Sequence, residues 1–345
     1  MPLEVLVAGR RLEALVRVRN VIWVFTAACN LDCIHCYVAR WRGLRELSLE
    51  EKLRLVREIA ELGVEHVGLT GGEPLIHPHF PRLAREIVDH GMTYHVVTNA
   101  TMVRREAAEM LARHEAHAIV SVDGPPEIHD RMRGPGAFRM LEKGVATLRE
   151  AGVEYSSVMA VSRLNYRHAA EAVEAAYRLG AVEAALIPVM PVGRAREARV
   201  YVGIEEYRVA VKAAAARAEE LGLPLSLWCT PFAPLLTRRR VYYWSCRLSP
   251  TIDIDPAGRL LLCDVLDIVV ADASRQGLRK AVEEYERHPL VKLVENPPRL
   301  PEPCQRCMLR GSCRGGCYAR ALLLRGDLNA GDPLCPLIVA WTPKA

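Results

Sequence analysis

The chain has 345 residues, 50% hydrophobic and 25% charged, with a formal net charge of +5. That length accommodates one large domain and a smaller one, and the composition is that of a soluble globular protein. So small a charge with no basic block argues against a nucleic-acid surface, and no run of about 18 apolar residues exists to span a membrane.

The chain starts Met-Pro-Leu-Glu-Val-Leu-Val-Ala-Gly-Arg, without the basic start and long apolar core of an export signal. Residues 21–26 read as a strand that runs directly into Cys-Asn-Leu-Asp-Cys-Ile-His-Cys, where Cys29, Cys33 and Cys36 are spaced C-x3-C-x2-C. Residues 48–62 read as a helix. Ser48 and Glu51 form a capping box, Leu49, Leu53, Val56 and Ile59 give an apolar face, and Gly63 stops it. Further strands are predicted at 66–70, 93–98, 118–122, 154–161 and 184–189. Helices fill the gaps, with Gly91, Gly152 and Gly180 as stops. One strand–helix unit per roughly 30 residues is the rhythm of parallel βαβ units.

The fold class is therefore α/β: a partial (β/α)6 parallel barrel with a small Cys-rich C-terminal domain. A closed eight-unit barrel needs about 250 residues, and the pattern stops near Gly193. Functional residues are then expected at the C-terminal ends of the strands. Residues 204–221 read as a helix ended by Gly222 and Pro224, followed by Cys-, Pro- and Gly-rich text with a small hairpin at 251–255 and 259–262. The expected division is an N-terminal segment 1–20, the barrel 21–200, a linker helix and bridging segment 201–245, and the Cys-rich domain 246–345.

Eleven Cys without an export signal favour metal ligation in a reducing, cytoplasmic setting over a disulfide framework. A 4Fe–4S cluster usually takes four Cys. Three thiolates at the spacing of Cys29, Cys33 and Cys36 leave one iron open to a small molecule. The triad resembles the signature of the radical S-adenosylmethionine (radical SAM) enzymes, in which SAM chelates the open iron and is cleaved to a 5′-deoxyadenosyl radical. Gly71, Gly72, Glu73 and Pro74 follow the second strand and resemble that family's "GGE" motif. The resemblance implies that Glu73 meets the methionyl amino group of SAM, a charge-assisted hydrogen bond. It also implies that Thr98 and Asn99, after the third strand, and Ser121 and Asp123, after the fourth, lie near SAM. The same residues read as polar strand ends or turns on structural grounds alone. His35 either packs by the adenine or fills its loop. His129, Asp130 and Arg133 read as capping or salt-bridge residues.

The C-terminal cysteines are Cys246, Cys263, Cys304, Cys307, Cys313, Cys317 and Cys335. Their spacing resembles the SPASM domain, an extension of radical SAM enzymes that carries auxiliary 4Fe–4S clusters. The resemblance implies that Cys304, Cys307, Cys313 and Cys335 hold one auxiliary cluster, and that Cys246, Cys263 and Cys317 hold the other. Three clusters, one SAM-binding and two auxiliary, offer about twelve ligand places. SAM takes one and the chain has eleven Cys, so Cys229 is either the missing ligand or a buried free thiol. Structural zinc at Cys304, Cys307, Cys313 and Cys317 is the competing reading, disfavoured by the triad and the remaining Cys.

Asp264 follows Cys263, and a Cys-Asp pair here resembles the sulfatase-maturating branch, where this Asp is a candidate base. A strand-end role is the alternative. The expected function is reductive cleavage of SAM and oxidative modification of a peptide or protein side chain, with a reductant such as ferredoxin or flavodoxin as partner. About 20 residues precede the first strand, so no added peptide-recognition domain is expected. A second reading comes from Cys317-Tyr-Ala-Arg-Ala, Gly326-Asp327, Asp332-Pro-Leu-Cys335 and Ile187-Pro-Val-Met-Pro-Val-Gly193-Arg194. These segments resemble tetrapyrrole-side-chain enzymes such as alternative-pathway heme synthases. A ferredoxin-like electron carrier fits poorly, since a carrier needs neither an open iron nor a GGE motif.

Overall fold

The computed structural model describes residues 18–248 and 251–341; most of the expected N-terminal segment 1–20 lies outside them. Six strands alternate with helices as the periodicity predicts: β1 Asn20–Thr26, β2 His66–Gly71, β3 Thr93–Thr98, β4 His117–Ser121, β5 Tyr155–Val161 and β6 Ala184–Pro188. Each pairs in parallel with the next. The helices between them are α1 Leu49–Glu61, α2 Phe80–Asp89, α3 Arg105–Arg113, α4 Pro126–Arg133, α5 Ala137–Glu150 and α6 Ala169–Leu179. α1 starts on the predicted capping box, with Ser48 accepting from the Glu51 N–H and Glu51 accepting from the Ser48 N–H. Its apolar stripe buries Leu55, Val56 and Ile59 against Val67, Leu69 and Trp23 of the strands.

Alternation along the strands separates two cores. Val67 and Leu69, Tyr94 and Val96, Ala118 and Val120 face the helices. Their sequence neighbours face the barrel interior, where Val97, Ile119, Val158, Ala185 and Trp228 pack together. Below this apolar layer the interior is polar. His66 and His95 stack at 5.0 Å with a 2.7 Å contact between Nε2 and Nδ1, and His117 bonds Ser156 at 2.8 Å. Burial and the neighbouring His66 and His117 push the His95 ring down to about 3, so it is neutral.

The sheet extends past the six expected strands on both sides, giving eleven in the order β11-β10-β9-β1-β2-β3-β4-β5-β6-β7-β8. After the short α7 (Gly193–Glu197) and α8 (Ile204–Leu221), β7 Leu225–Leu227 and β8 Tyr242–Tyr243 continue it in parallel beyond β6. Strands of three and two residues carry no readable period, which is why the sequence pattern ends before them. On the other side the expected hairpin forms as β9 Thr251–Ile254 and β10 Arg259–Leu261, followed by β11 Val269–Asp272. β9 pairs in parallel with β1, so residues on both sides of the expected boundary at 246 share one sheet. With β8 and β11 at its two ends, the barrel is unclosed.

Candidate active site

The motif residues collect at the C-terminal ends of β1 to β4. β1 breaks register between Val24 and Thr26 and turns into the triad loop. Glu46 fixes that turn: its Oε1 accepts from the Thr26 hydroxyl at 2.9 Å and the Ala27 N–H at 2.7 Å. Its other oxygen pairs at 3.3 Å with the fully buried Lys52 of α1, whose ammonium lies 5.2 Å from the Phe25 ring. Burial by itself raises the Glu46 carboxyl, but hydrogen bonds from His77, Ala27 and Thr26 and the Lys52 charge bring it to about 2.

The two glycines at the end of β2 are required by contact with this loop. A Cβ on Gly71 would sit 2.2 Å from the Thr26 carbonyl oxygen, and one on Gly72 would sit 2.1 Å from that of Ala28. Gly71 also has φ +136°, a conformation that residues with a Cβ rarely adopt. The close approach lets the Gly72 N–H donate to Thr26 O at 2.9 Å and the Glu73 N–H to Ala28 O at 2.8 Å. The glycine turn is thereby stapled to the triad loop.

Glu73 is 1% exposed. It accepts hydrogen bonds from the Leu75 N–H at 3.0 Å, the Thr98 hydroxyl at 2.8 Å and the Asn99 N–H at 2.7 Å. Burial pushes its carboxyl up despite these donors. Asn99 in turn donates to Asn30 Oδ1 at 3.1 Å and lies 3.9 Å from the Cys29 sulfur. Thr98 and Asn99 thus orient Glu73 and link it to the triad. Ser121 is buried at the end of β4. Asp123 is fully buried, pairs with Arg133 at 2.6 Å and accepts the Ala160 N–H at 2.8 Å. Burial opposes its ionisation, and Arg133, His35 and His129 nevertheless hold it below the usual carboxylate range. Arg133 also reaches the Cys33 sulfur at 4.0 Å, while Asp130 caps α5 through the Gly136 and Phe138 N–H groups at 2.6 and 2.7 Å. The His35 ring is pushed down to about 4 by burial, and its Nδ1 has no partner among the described residues.

The triad suits a metal cluster better than free thiols. Burial raises Cys29 and drives Cys33 to about 11, so these thiols ionise readily only when a cation replaces the proton. Donors already point at the sulfurs, among them the Leu31 N–H 3.4 Å from Cys29.

None of the eleven cysteines forms a disulfide. Cys304, Cys307, Cys313 and Cys335 line one cavity together with Phe232, Leu235 and Leu309. The thiol of Cys229 lies within hydrogen-bonding reach of Cys246 and Cys317; the contact with Cys246 and burial shift it upward, against the opposing contact with Cys317. Cys263 is raised by burial and by the charges of Asp264, Asp253 and Cys317. Cys304, Cys307, Cys313 and Cys335 thus share one cavity, while Cys229 meets Cys246 and Cys317, and Cys263 lies within electrostatic reach of Cys317. Cys229 has φ +52°, a left-handed conformation seldom held by a non-glycine residue without compensation. Compensation comes from Arg320, which donates to the Cys229 carbonyl at 2.9 Å. Arg320 is itself paired with Asp332 at 2.6 and 2.8 Å, and Asp332 accepts the Cys317 N–H at 2.8 Å and the Leu334 N–H at 2.9 Å. This buried ion pair joins the two cysteine groups.

Asp264 lies where the auxiliary region meets the triad loop. Its Oδ2 accepts the Tyr37 hydroxyl at 3.0 Å, and Tyr37 directly follows Cys36. Its backbone carbonyl accepts from Arg40, and its N–H donates to Asp253 Oδ2 at 2.8 Å. Oxygens of Asp253 and Asp264 and the Cys263 sulfur lie within 4.8 Å of one another. Burial raises both carboxyls; the Asp264 charge raises Asp253 further, whereas Tyr37 and Arg40 partly offset the rise at Asp264. Tyr37, Arg40 and Asp253 were not read from the sequence. Tyr37 adjoins a triad cysteine and was findable; Asp253 reaches the corner only through the pairing of β9 with β1.

Comparison with known proteins agrees with this geometry. Residues 23–176 match the Radical SAM superfamily. The AdoMet-dependent heme synthase of Methanosarcina barkeri (strain Fusaro / DSM 804) is 27% identical over 339 residues, covering 92% of this chain and 96% of that protein. The PqqA peptide cyclase of Granulibacter bethesdensis (strain ATCC BAA-1260 / CGDNIH1) is 26% identical over 325 residues, covering 90% and 85%. Among solved structures, Streptococcus suis SuiB bound to precursor peptide SuiA superposes with a TM-score of 0.75 at 16% identity, covering 92% of this chain and 76% of that one. Among the described residues no helix is long and apolar enough to cross a membrane. The chain thus carries a Radical SAM superfamily domain over residues 23–176, followed by a Cys-rich C-terminal region, in a fold similar to that of SuiB.

Proposed function

We propose that the chain oxidatively modifies a side chain of a peptide or protein, and that its eleven cysteines hold three 4Fe–4S clusters. In this reading Cys29, Cys33 and Cys36 carry the SAM-binding cluster. Cys304, Cys307, Cys313 and Cys335 carry one auxiliary cluster, and Cys229, Cys246, Cys263 and Cys317 the other. The observation that carries the reading is the direct bond between Tyr37, next to the triad, and Asp264, next to an auxiliary cysteine. It sets a carboxylate at the seam where a substrate can meet both cysteine-bearing regions.

When bound, SAM at the triad cluster supplies a 5′-deoxyadenosyl radical that removes one hydrogen atom from the substrate. The protein's own contribution is placement. Gly71 and Gly72 allow the turn to lie against the triad loop, and Glu73 receives the SAM ammonium while Thr98 and Asn99 hold its carboxylate in place. Ser121 and Asp123 border the rest of the SAM site. Asp264 would take the proton that the substrate loses on oxidation, and an auxiliary cluster held by the C-terminal cysteines would supply the electron acceptor. A small reductant protein such as ferredoxin or flavodoxin supplies the priming electron, in a reducing cytoplasmic setting.

Support for a peptide substrate comes from relatives named for peptides, the PqqA peptide cyclase and SuiB with its precursor peptide. A second reading, modification of a tetrapyrrole side chain, is favoured by the AdoMet-dependent heme synthase that matches over 92% of this chain. The test is anaerobic incubation of reconstituted protein with reductant, SAM and either peptide or iron coproporphyrin, followed by mass spectrometry. A mass loss on the peptide supports the first reading, and loss of carbon dioxide from the porphyrin replaces it with the second.

A further inference from the structure

The end of the sheet at β8 is open, and what lies on it has no role in the site described above. β8 pairs with β7 in the register Ser226 to Tyr242 and Leu227 to Tyr243, and among the described residues no further strand follows. Alternation then sets the two faces. Leu227 is buried among the helices, so its partner Tyr243 is on the outer face. Tyr242 shares the interior face with Ser226, and Trp244 shares it with Trp228. The Trp228 and Trp244 rings meet at 6.0 Å and 53°, and Trp228 packs onto the apolar interior layer of Ile119, Val158 and Ala185. Trp228 precedes Cys229, and Trp244 lies two residues before Cys246. The edge therefore leads from solvent to the cysteine group nearest Asp264.

This edge is unusually aromatic and basic for a surface strand. Tyr242, Tyr243 and Trp244 are 49%, 36% and 47% exposed. Arg238, Arg239 and Arg240 precede them, all exposed. Arg239 is paired with Glu219, and Arg240 lies 5.8 Å over the Tyr242 ring on the same face. Among the described residues Arg238 has no acidic partner. An open strand edge offers N–H and C=O groups in alternation, the pattern matched by an extended backbone. Arg240, Tyr242 and Trp244 line one face of it at a two-residue period, so alternate side chains of an added strand would meet a cation and two rings.

We propose that β8 is the docking edge for an extended, acidic peptide segment of the substrate, which adds as a strand beside Tyr242–Tyr243 and is fed past Trp244 and Trp228 toward Asp264. The proposal rests on the peptide reading above. Charge complementarity selects the segment: two unneutralised guanidinium groups favour Asp or Glu at alternate positions. A planar polycarboxylate would use the rings and cations but not the strand backbone.

The test uses the reconstituted holoenzyme and three fluorescein-labelled twelve-residue peptides: alternating Glu and Thr, the same sequence with Lys for Glu, and the Glu peptide N-methylated at every second residue. Anisotropy should show the Glu peptide binding at least tenfold tighter than either other peptide. The double substitution Arg238→Glu with Arg240→Glu should reverse the preference between Glu and Lys peptides, at unchanged iron content, because both side chains are exposed. Equal binding of the N-methylated and unmodified Glu peptides overturns the strand addition. Lack of Glu-peptide binding, or binding indifferent to the double substitution, overturns the docking edge. The two proposals fail separately. A peptide that is oxidised without sensitivity to these changes removes the docking edge and keeps the peptide reading. Binding to β8 without oxidation of any peptide does the reverse.

Discussion

Replacing Asp332 with Asn should dismantle the auxiliary region while sparing the SAM site. The Asp332 carboxylate accepts four hydrogen bonds, two from Arg320 and one each from the Cys317 and Leu334 N–H groups. Asn keeps one oxygen acceptor but removes the countercharge of a guanidinium that is 1% exposed. Leaving one charge of a buried pair uncompensated costs about 3–5 kcal/mol, a large share of a typical total of about 5–15 kcal/mol. At roughly 2 °C per kcal/mol for a chain of this size, the melting temperature should fall by about 6–10 °C. Arg320 also holds the strained Cys229 backbone, so Cys229, Cys317 and the turn into Cys335 lose their common tie. Iron should fall toward about four atoms per chain, the content of one cluster. Anaerobic melts, iron assays and SAM titration on one preparation read all three effects. The double substitution Arg320→Met with Asp332→Asn removes the orphan charge and should recover at least half of the lost stability. Full iron and an unchanged melt in D332N, or a double variant no more stable than the single one, would refute the reasoning.

Other outcomes follow from the same geometry. Glu73→Gln should weaken SAM binding by about 1.5–3 kcal/mol, the range for a hydrogen bond to a charged group, with iron unchanged; equal affinity in a calorimetric titration removes the assignment. Asp264→Asn should keep the clusters and SAM cleavage but lower product formation by about 10²–10⁴-fold, and product at the wild-type rate removes the base role. The His95 pKa of about 3 lies below its unfolded value near 6.5, so the neutral ring contributes stability above pH 6.5 that is lost as pH falls toward 3. Between pH 7.5 and pH 5 that loss is about 1–2 kcal/mol, and His95→Asn should flatten the change in denaturant midpoint over that interval; an equally steep fall in the variant contradicts it.

Much of the barrel was legible because each of β1 to β6 is long enough to show alternation and several helices carry a glycine stop or a cap. Ser48 and Glu51 announced α1 by chemistry that needs no tertiary partner. The opposite holds for β7 and β8, which are too short for a pattern, and for the pairing of β9 with β1, which joins residues more than two hundred positions apart. The cysteine groups were implied by the SPASM resemblance, and the place of Cys229 followed only from counting ligands. Its left-handed backbone and its tie to Arg320 are tertiary facts. Asp264 was visible beside Cys263, whereas its bond to Tyr37 depends on how the hairpin docks against the triad loop. Motifs with local geometry could be read; contacts made by chain closure could not.

Eleven cysteines and SAM would together complete three cubane clusters. Iron, acid-labile sulfide and zinc in anaerobically reconstituted protein test it most directly, measured beside a variant with Cys29, Cys33 and Cys36 replaced by Ala. The wild type should hold about 12 iron atoms per chain and the variant about eight. Stoichiometric zinc with little iron in both, or iron unchanged by loss of the triad, would contradict it.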